Sequence, residues 1–149
     1  MSDAREKSVS AKFPSYVLDS FALLAYLQGE PGNTRVKDLL AEAEAGECII
    51  YLSLINLGEI LYIIERERSL TLAQRTLAAI DQLPLQIAPV SRATVLAAAH
   101  LKARYPISYA DAFAVVAAQD HDGVLITGDP EFRSLARDKV VAVDWLPRN

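Results

Sequence analysis

The 149 residues are 52% hydrophobic and 23% charged, the balance of one folded globular domain rather than of a disordered chain. Fifteen Lys and Arg stand against 19 Asp and Glu, a net charge of −4, which argues against a protein that coats nucleic acid with a broadly basic face. One cysteine excludes an internal disulfide and a thiolate metal cage, two histidines weaken mechanisms built on imidazole clusters, and no uncharged apolar run reaches the roughly 18 residues needed to cross a bilayer.

Residues 1 to about 14 are polar, close on Pro14 and lack an apolar secretory core, so they read as a flexible tail before a single domain over 15–149. With the lone Cys48, this fits a reducing cytoplasm. Tyr16 to Asp19 (YVLD) is a short apolar run ending on an acid, followed by a helix through Leu27 that the cluster Gly29 to Asn33 breaks. Asn33 or Thr34 caps a second helix reaching about Ala45. Cys48 to Leu52 reads as a buried strand, Ser53 caps a helix to about Arg66, and Ser69 or Thr71 starts another that ends before Pro84. Leu85 to Ala88 is a short strand; Ser91 and Ser108 cap helices to about Arg104 and Gln119. Val124 to Thr127 is a strand, Pro130 to Leu135 a short helix, and Val140 to Val143 a last strand. Strands alternating with helices predict an α/β domain with a mostly parallel central sheet, whose ligand site lies beyond the carboxyl ends of the strands.

Four acids stand out along this pattern, and each has a local use. Asp19 and Asp129 fall at helix starts, where a carboxylate accepts orphan backbone N–H groups; Pro130 after Asp129 strengthens that reading. Asp111 lies three residues after Ser108, the capping-box spacing. Glu59 sits in LSLINLGEILYII, apolar nearly all round as a buried helix would be, with Ser53, Asn56 and Glu59 on one narrow face. A buried carboxylate there needs a cation, a proton or a dedicated donor; a structural ion pair is one answer, although no Arg or Lys shares the face before Arg66. Asp111 is likewise the lone charge in the apolar YADAFAVVAAQ. Two acids on buried helices and two at strand ends suggest one shared site. Carboxylates without imidazole make a hard oxygen site that suits Mg2+ or Mn2+ rather than zinc or copper. Ser20 and Thr127, beside the strand-end acids, have hydroxyls suited either to turns or to orienting a carboxylate.

The blocks VLDSFALLAYL with Asp19, LSLINLGEILYII with Glu59, SYADAFAVVAAQ with Asp111 and VLITGDPEF with Asp129, in this order, resemble the PIN-domain nucleases, especially the VapC toxins of toxin–antitoxin pairs. The resemblance spans about residues 15–146. It implies a PIN-like three-layer α/β/α sandwich and an Mg2+- or Mn2+-dependent endoribonuclease leaving 5′-phosphate and 3′-hydroxyl ends. It further implies a homodimer, and a VapB-like antitoxin whose tail blocks the groove. On this resemblance Asp19, Glu59, Asp111 and Asp129 are the catalytic and metal-binding set, with Asn56, Thr127 and Ser20 in support.

Two other readings use the same residues: a PIN nuclease of RNA processing outside toxin–antitoxin systems, and a catalytically silent binding module of this fold. No G-x-S-x-G elbow or P-loop appears. His100 and His121 fall near helix C-termini, where a cation suits the dipole, and Cys48 reads as core. Tyr51, Tyr62, Phe113 and Trp145 fit core packing, while Tyr105 and Tyr109 are candidates to border the groove and stack on a base. Basic residues are scattered; Arg133 and Arg137, nearest Asp129 in sequence, are the candidates for RNA-backbone contact.

Overall fold

The predicted apolar runs pair into one all-parallel sheet in the computed structural model, which describes residues 13–148. The expected tail therefore lies outside the described residues up to position 12. The strands are β1 (Ser15–Leu18), β2 (Ile49–Ser53), β3 (Gln86–Ala88), β4 (Val124–Thr127) and β5 (Val143–Trp145), in the spatial order β3-β2-β1-β4-β5. The chain builds outward from β1 to β2 and β3, then returns to place β4 on the other side of β1. Among the described residues seven helices cover the sheet: α1 (Ser20–Gln28), α2 (Asn33–Glu44), α3 (Leu54–Glu67), α4 (Leu70–Asp81), α5 (Arg92–Arg104), α6 (Tyr109–Asp120) and α7 (Arg133–Arg137), the last preceded by a 3-10 turn over Pro130–Phe132.

Side chains of the central strands alternate between two cores, as a sheet covered on both faces requires. Val17 and Leu125 pack with α5, α6 and the α7 region; Leu18 and Ile126 pack with α1 to α4. The result is the expected three-layer α/β/α sandwich. Helix α6 is buried from Asp111 through Ala118, because its alanines let it lie close against β1, β2 and β4. Serine caps set the starts of α3, α4, α5 and α6: Ser53, Ser69, Ser91 and Ser108 each accept a backbone N–H from the first turn. Cys48 is buried, its Sγ 3.7 Å from the Leu39 carbonyl oxygen. His121 caps α6 and stacks on Tyr51 with ring centroids 3.7 Å apart. Among the described residues no helix is long and apolar enough to cross a membrane.

Three expectations need correction. The last strand begins at Val143, not Val140. Lys139 takes a left-handed conformation (φ 58°) and the Val140 N–H donates to the Leu135 carbonyl, so these residues close α7 before the chain can extend. Helix α2 is capped by Gly32 at φ 95°, and Asn33 instead donates its side-chain amide to the Glu30 carbonyl. Helix α3 is two-faced rather than buried. Asn56, Ile60 and Ile64 point inward, whereas Leu54 and Tyr62 remain 47% and 53% exposed.

Gly128, between Thr127 and Asp129, is where close packing fixes the turn after β4. A Cβ there would stand 2.4 Å from Cε1 of the Phe21 ring, so an added methyl overpacks the turn at about 1–3 kcal/mol. Gly128→Ala is expected to lower the thermal midpoint by several degrees, and adding Phe21→Leu to recover most of the loss. Equal loss in the single and double variants would show that the Phe21 contact is not the cause.

A candidate metal site of converging carboxylates

The ends of β1 and β4 are level. Leu18 pairs with Ile126, and the Asp19 N–H reaches the Ile126 carbonyl at 3.4 Å. Asp19 and Thr127 therefore stand side by side at the carboxyl end of the sheet, where the strand order reverses direction and open parallel sheets place their ligands. The Thr127 hydroxyl donates to Asp19 Oδ2 and accepts the Asp129 N–H at 3.0 Å. The Ala22 N–H donates to Asp19 Oδ1 at 2.8 Å, and the Glu131 N–H to Asp129 Oδ1 at 2.9 Å. Both acids thus also cap the turns that follow them.

Helix α6 brings Asp111 in its first turn, where the Asp111 N–H donates to Ser108 Oγ at 3.1 Å. Oxygens of Asp111, Asp129 and Glu131 all lie within 4.8 Å of one another. Helix α3 is tied to the same place by Asn56, which is fully buried and donates its amide to the Ala110 carbonyl at 3.1 Å. Asn56 Oδ1 has no hydrogen-bond partner. Ser20 Oγ donates to the Asn56 carbonyl at 3.4 Å, so it joins α1 to α3 rather than orienting a carboxylate.

The acids are linked by charge as well as by distance. The Asp19 carboxyl, 1% exposed, is pushed up to about 7 by burial. Its bonds from Thr127 and Ala22 oppose that rise, and the nearby charges of Asp129 and Glu59 add to it. Asp111, 8% exposed, is raised to about 8 by burial first, then by the facing Glu131 carboxyl and the Asp19 charge, against its hydrogen bond with Ser108. The leading causes of both shifts include no lysine or arginine among the described residues. Among the described residues the ion pairs are Arg35–Asp144 at 2.9 Å and Arg137–Asp138 at 3.3 Å.

Of the four acids expected from the sequence, the structure brings Asp111 and Asp129 together with Glu131, and Thr127 ties Asp19 to the Asp129 backbone. Asp111, Asp129 and Glu131 are the tight group; Asp19 and Glu59 adjoin it electrostatically, Glu59 half-buried on α3. Glu131 was missed because in GDPEF it reads as an ordinary first-turn acid; its spacing of two from Asp129 was the available signal. Arg133 is exposed near the turn, and Arg137 is engaged by Asp138. Tyr109 is exposed at the start of α6, edge-on to Phe113, whereas the Tyr105 hydroxyl donates to Asp138 at 3.0 Å. Capping accounts for the conformations of Asp19 and Asp129. It does not account for Asp111, whose oxygen lies within 4.8 Å of those of Asp129 and Glu131 with no ion-paired lysine or arginine among the described residues. An all-oxygen donor set of high charge, paired with no lysine or arginine, fits a hard divalent cation.

Among solved structures the fold is similar to three toxin–antitoxin proteins. VapBC2 from Rickettsia felis, bound to a DNA fragment from its promoter, is 17% identical, with 89% of this chain and 99% of that chain covered at a TM-score of 0.69. The DNA-bound VapBC from Salmonella typhimurium is 14% identical, with 89% and 98% covered and a TM-score of 0.68. VapC20 from Mycobacterium tuberculosis, described as a toxin that cleaves the sarcin–ricin loop, is 17% identical, with 89% and 99% covered and a TM-score of 0.66. No curated protein matches the sequence. The PIN domain profile matches residues 16–138, most of the chain and all five acids, and the chain belongs to the PIN domain family.

Proposed function

We propose that this PIN-domain protein is a VapC-type toxin: an endoribonuclease that requires Mg2+ or Mn2+, leaves 5′-phosphate and 3′-hydroxyl ends, and is held in check by a VapB-like antitoxin. The observation that carries the reading is the approach of Asp111, Asp129 and Glu131 oxygens to within 4.8 Å of one another at the carboxyl end of the sheet, with the buried Asp19 beside them. Its fold relatives include VapBC complexes on DNA and a toxin named for cleaving an RNA loop, which supports an RNA substrate and an antitoxin partner. The same reading makes the protein a cytoplasmic homodimer.

Asp19, Asp111 and Asp129 would hold the metal, with Glu59 and Glu131 beside them. A divalent cation bound there supplies charge that a phosphoryl oxygen and an attacking water both require. The chain's own part is positioning. Thr127 holds Asp19 by one oxygen and the Asp129 backbone by a second bond, so the two acids keep a fixed separation. Asn56 fixes α3 to the residue before Asp111, which sets where Glu59 stands. Burial lets Asp111 keep its proton near neutral pH until a cation takes its place.

Purified protein is expected to cleave structured RNA with Mg2+ or Mn2+ and not with EDTA. Asp111→Asn should abolish cleavage, and Glu131→Gln should reduce it by about ten- to a hundredfold, the range for a group that supports metal ligands. Cleavage that persists in EDTA or in Asp111→Asn would overturn the reading.

The acids also predict a pH dependence of stability. The carboxyls of Asp19 and Asp111 are raised from 3.8 to about 7 and about 8. From pH 4 upward the unfolded chain ionises these groups first, so the folded state binds more protons and their contribution falls with rising pH until about 8. In metal-free protein the thermal midpoint should therefore drop between pH 5.5 and 8.5, and Asp111→Asn should flatten the drop. At pH 8, Asp111→Asn should melt higher than the parent, by about 2–4 °C for each kcal/mol relieved. Millimolar Mg2+ or Mn2+ should raise the parent and leave the variant little changed. Identical pH profiles for parent and variant would show that Asp111 carries no such strain.

A further inference from the structure

A cavity of about 500 Å3 lies beside the turn that carries Asp129. Gly128 and Pro130, the neighbours of Asp129 on either side, form one wall, and Trp145, Arg133 and Arg148 face it. Trp145 was expected in the core. Instead it is 43% exposed on β5, at the edge of the sheet, in register with Thr127. The bond from the Leu146 N–H to the Thr127 carbonyl at 2.8 Å fixes the strand that carries it.

The two charged side chains that line the cavity are both arginines. Arg148 lies over the Phe21 ring, 6.0 Å from its centroid, and Phe21 packs against Gly128. Neither Arg133 nor Arg148 makes an ion pair among the described residues. In a chain of net charge −4, two free arginines and an exposed indole around one cavity form a local exception beside an acidic site. Arginine grips phosphate oxygens with a planar fork, and an indole face stacks on any base that is not already paired. The volume lies within the about 300–1,000 Å3 of small-ligand sites.

We propose that Trp145, Arg133 and Arg148 form a nucleotide subsite, which stacks one unpaired base and grips its phosphate so that the neighbouring phosphodiester lies at the carboxylates. This rests on the nuclease reading above and adds to it residues outside the carboxylates that position the substrate. Arg137, paired with Asp138, is outside the subsite.

The chain has one tryptophan, so its fluorescence reports on this cavity alone. Full-length protein carrying Asp111→Asn, which keeps RNA intact, is titrated with a mixed-sequence single-stranded RNA, with the same strand in a duplex, and with a glutamate-rich peptide. Indole emission and the anisotropy of fluorescein-labelled RNA are followed together. The single strand should quench Trp145 and the duplex should not. Trp145→Leu should weaken binding about ten- to a hundredfold, and Trp145→Phe should regain most of it. Arg133→Gln and Arg148→Gln should each weaken binding and flatten its salt dependence. These two variants keep the indole, so the test stands even if Trp145→Leu misfolds.

Binding of the single strand with unchanged emission and unchanged affinity in both arginine variants would overturn the subsite, as would no RNA binding at all. Quenching by the peptide and not by RNA would overturn it in favour of a protein partner. Quenching by RNA in a protein whose parent form cleaves nothing would keep the subsite and remove the nuclease.

Discussion

Carboxylates brought together out of water repel one another and lose hydration, and the scaffold around this site is arranged to bear that cost. Asp19 is nearly inaccessible, yet both of its oxygens are bonded, one by the backbone at Ala22 and one by the Thr127 hydroxyl. Those bonds lower its proton affinity while burial and its acidic neighbours raise it, and burial wins. Asp111 is balanced in the same way, with Ser108 opposing burial and the facing Glu131. A site meant only to cap helices would be more stable with fewer acids. The two buried acids need either a proton or a counter-charge, and among the described residues no lysine or arginine is ion-paired with them.

The positions of the acids follow from topology. Because the chain builds β2 and β3 on one side of β1 and β4 on the other, the turns after β1 and β4 diverge and leave a gap at the carboxyl end of the sheet. Asp19 and Asp129 stand in those two turns. Helix α6 crosses from the β3 side back to β4, so its first turn carries Asp111 to the same end. Only a helix dense in alanine can run so close to the strands, which is why a single charge in it is conspicuous. Helix α3 is held to α6 by Asn56 and to α1 by Ser20, so three helices and two strands share responsibility for one cluster.

Much of this was legible in the sequence because the signals are local. Serine before an apolar run predicts a cap, and Ser53, Ser69, Ser91 and Ser108 all cap. An acid closing an apolar strand, seen at Asp19 and again just past Thr127, marks the functional end of a parallel sheet. What failed depends on neighbours that no local window contains. Helix α3 is apolar nearly all round, but α4 and the sheet cover only part of it, so Leu54 and Tyr62 stay out. The sequence places Ser20 beside Asp19, but helical geometry turns its hydroxyl to the Asn56 carbonyl. Val140 belongs to an apolar run, yet the closing turn of α7 takes it before a strand can begin. Trp145 looks like core until β5 proves to be an edge strand. Glu131 is exposed, as a first-turn charge would be, yet its carboxylate also lies within 4.8 Å of those of Asp111 and Asp129.

The distribution of charge gives these misreadings a common sense. A net charge of −4 repels a polyanion at long range, and an acidic centre repels it most strongly where contact has to occur. Metal binding would relieve the centre, but cannot by itself guide a strand to it. Guidance needs fixed cations close by and an apolar face that does not depend on ionic strength, both within one nucleotide of the acids. Arg133, Arg148 and the indole of Trp145, which line a cavity walled by the neighbours of Asp129, are the groups proposed for that part. Most other arginines lie on helix surfaces, and those at Arg35 and Arg137 are paired with acids. An indole at a sheet edge stacks only on a base that is not already paired, so the proposed subsite would favour a strand that is locally unpaired.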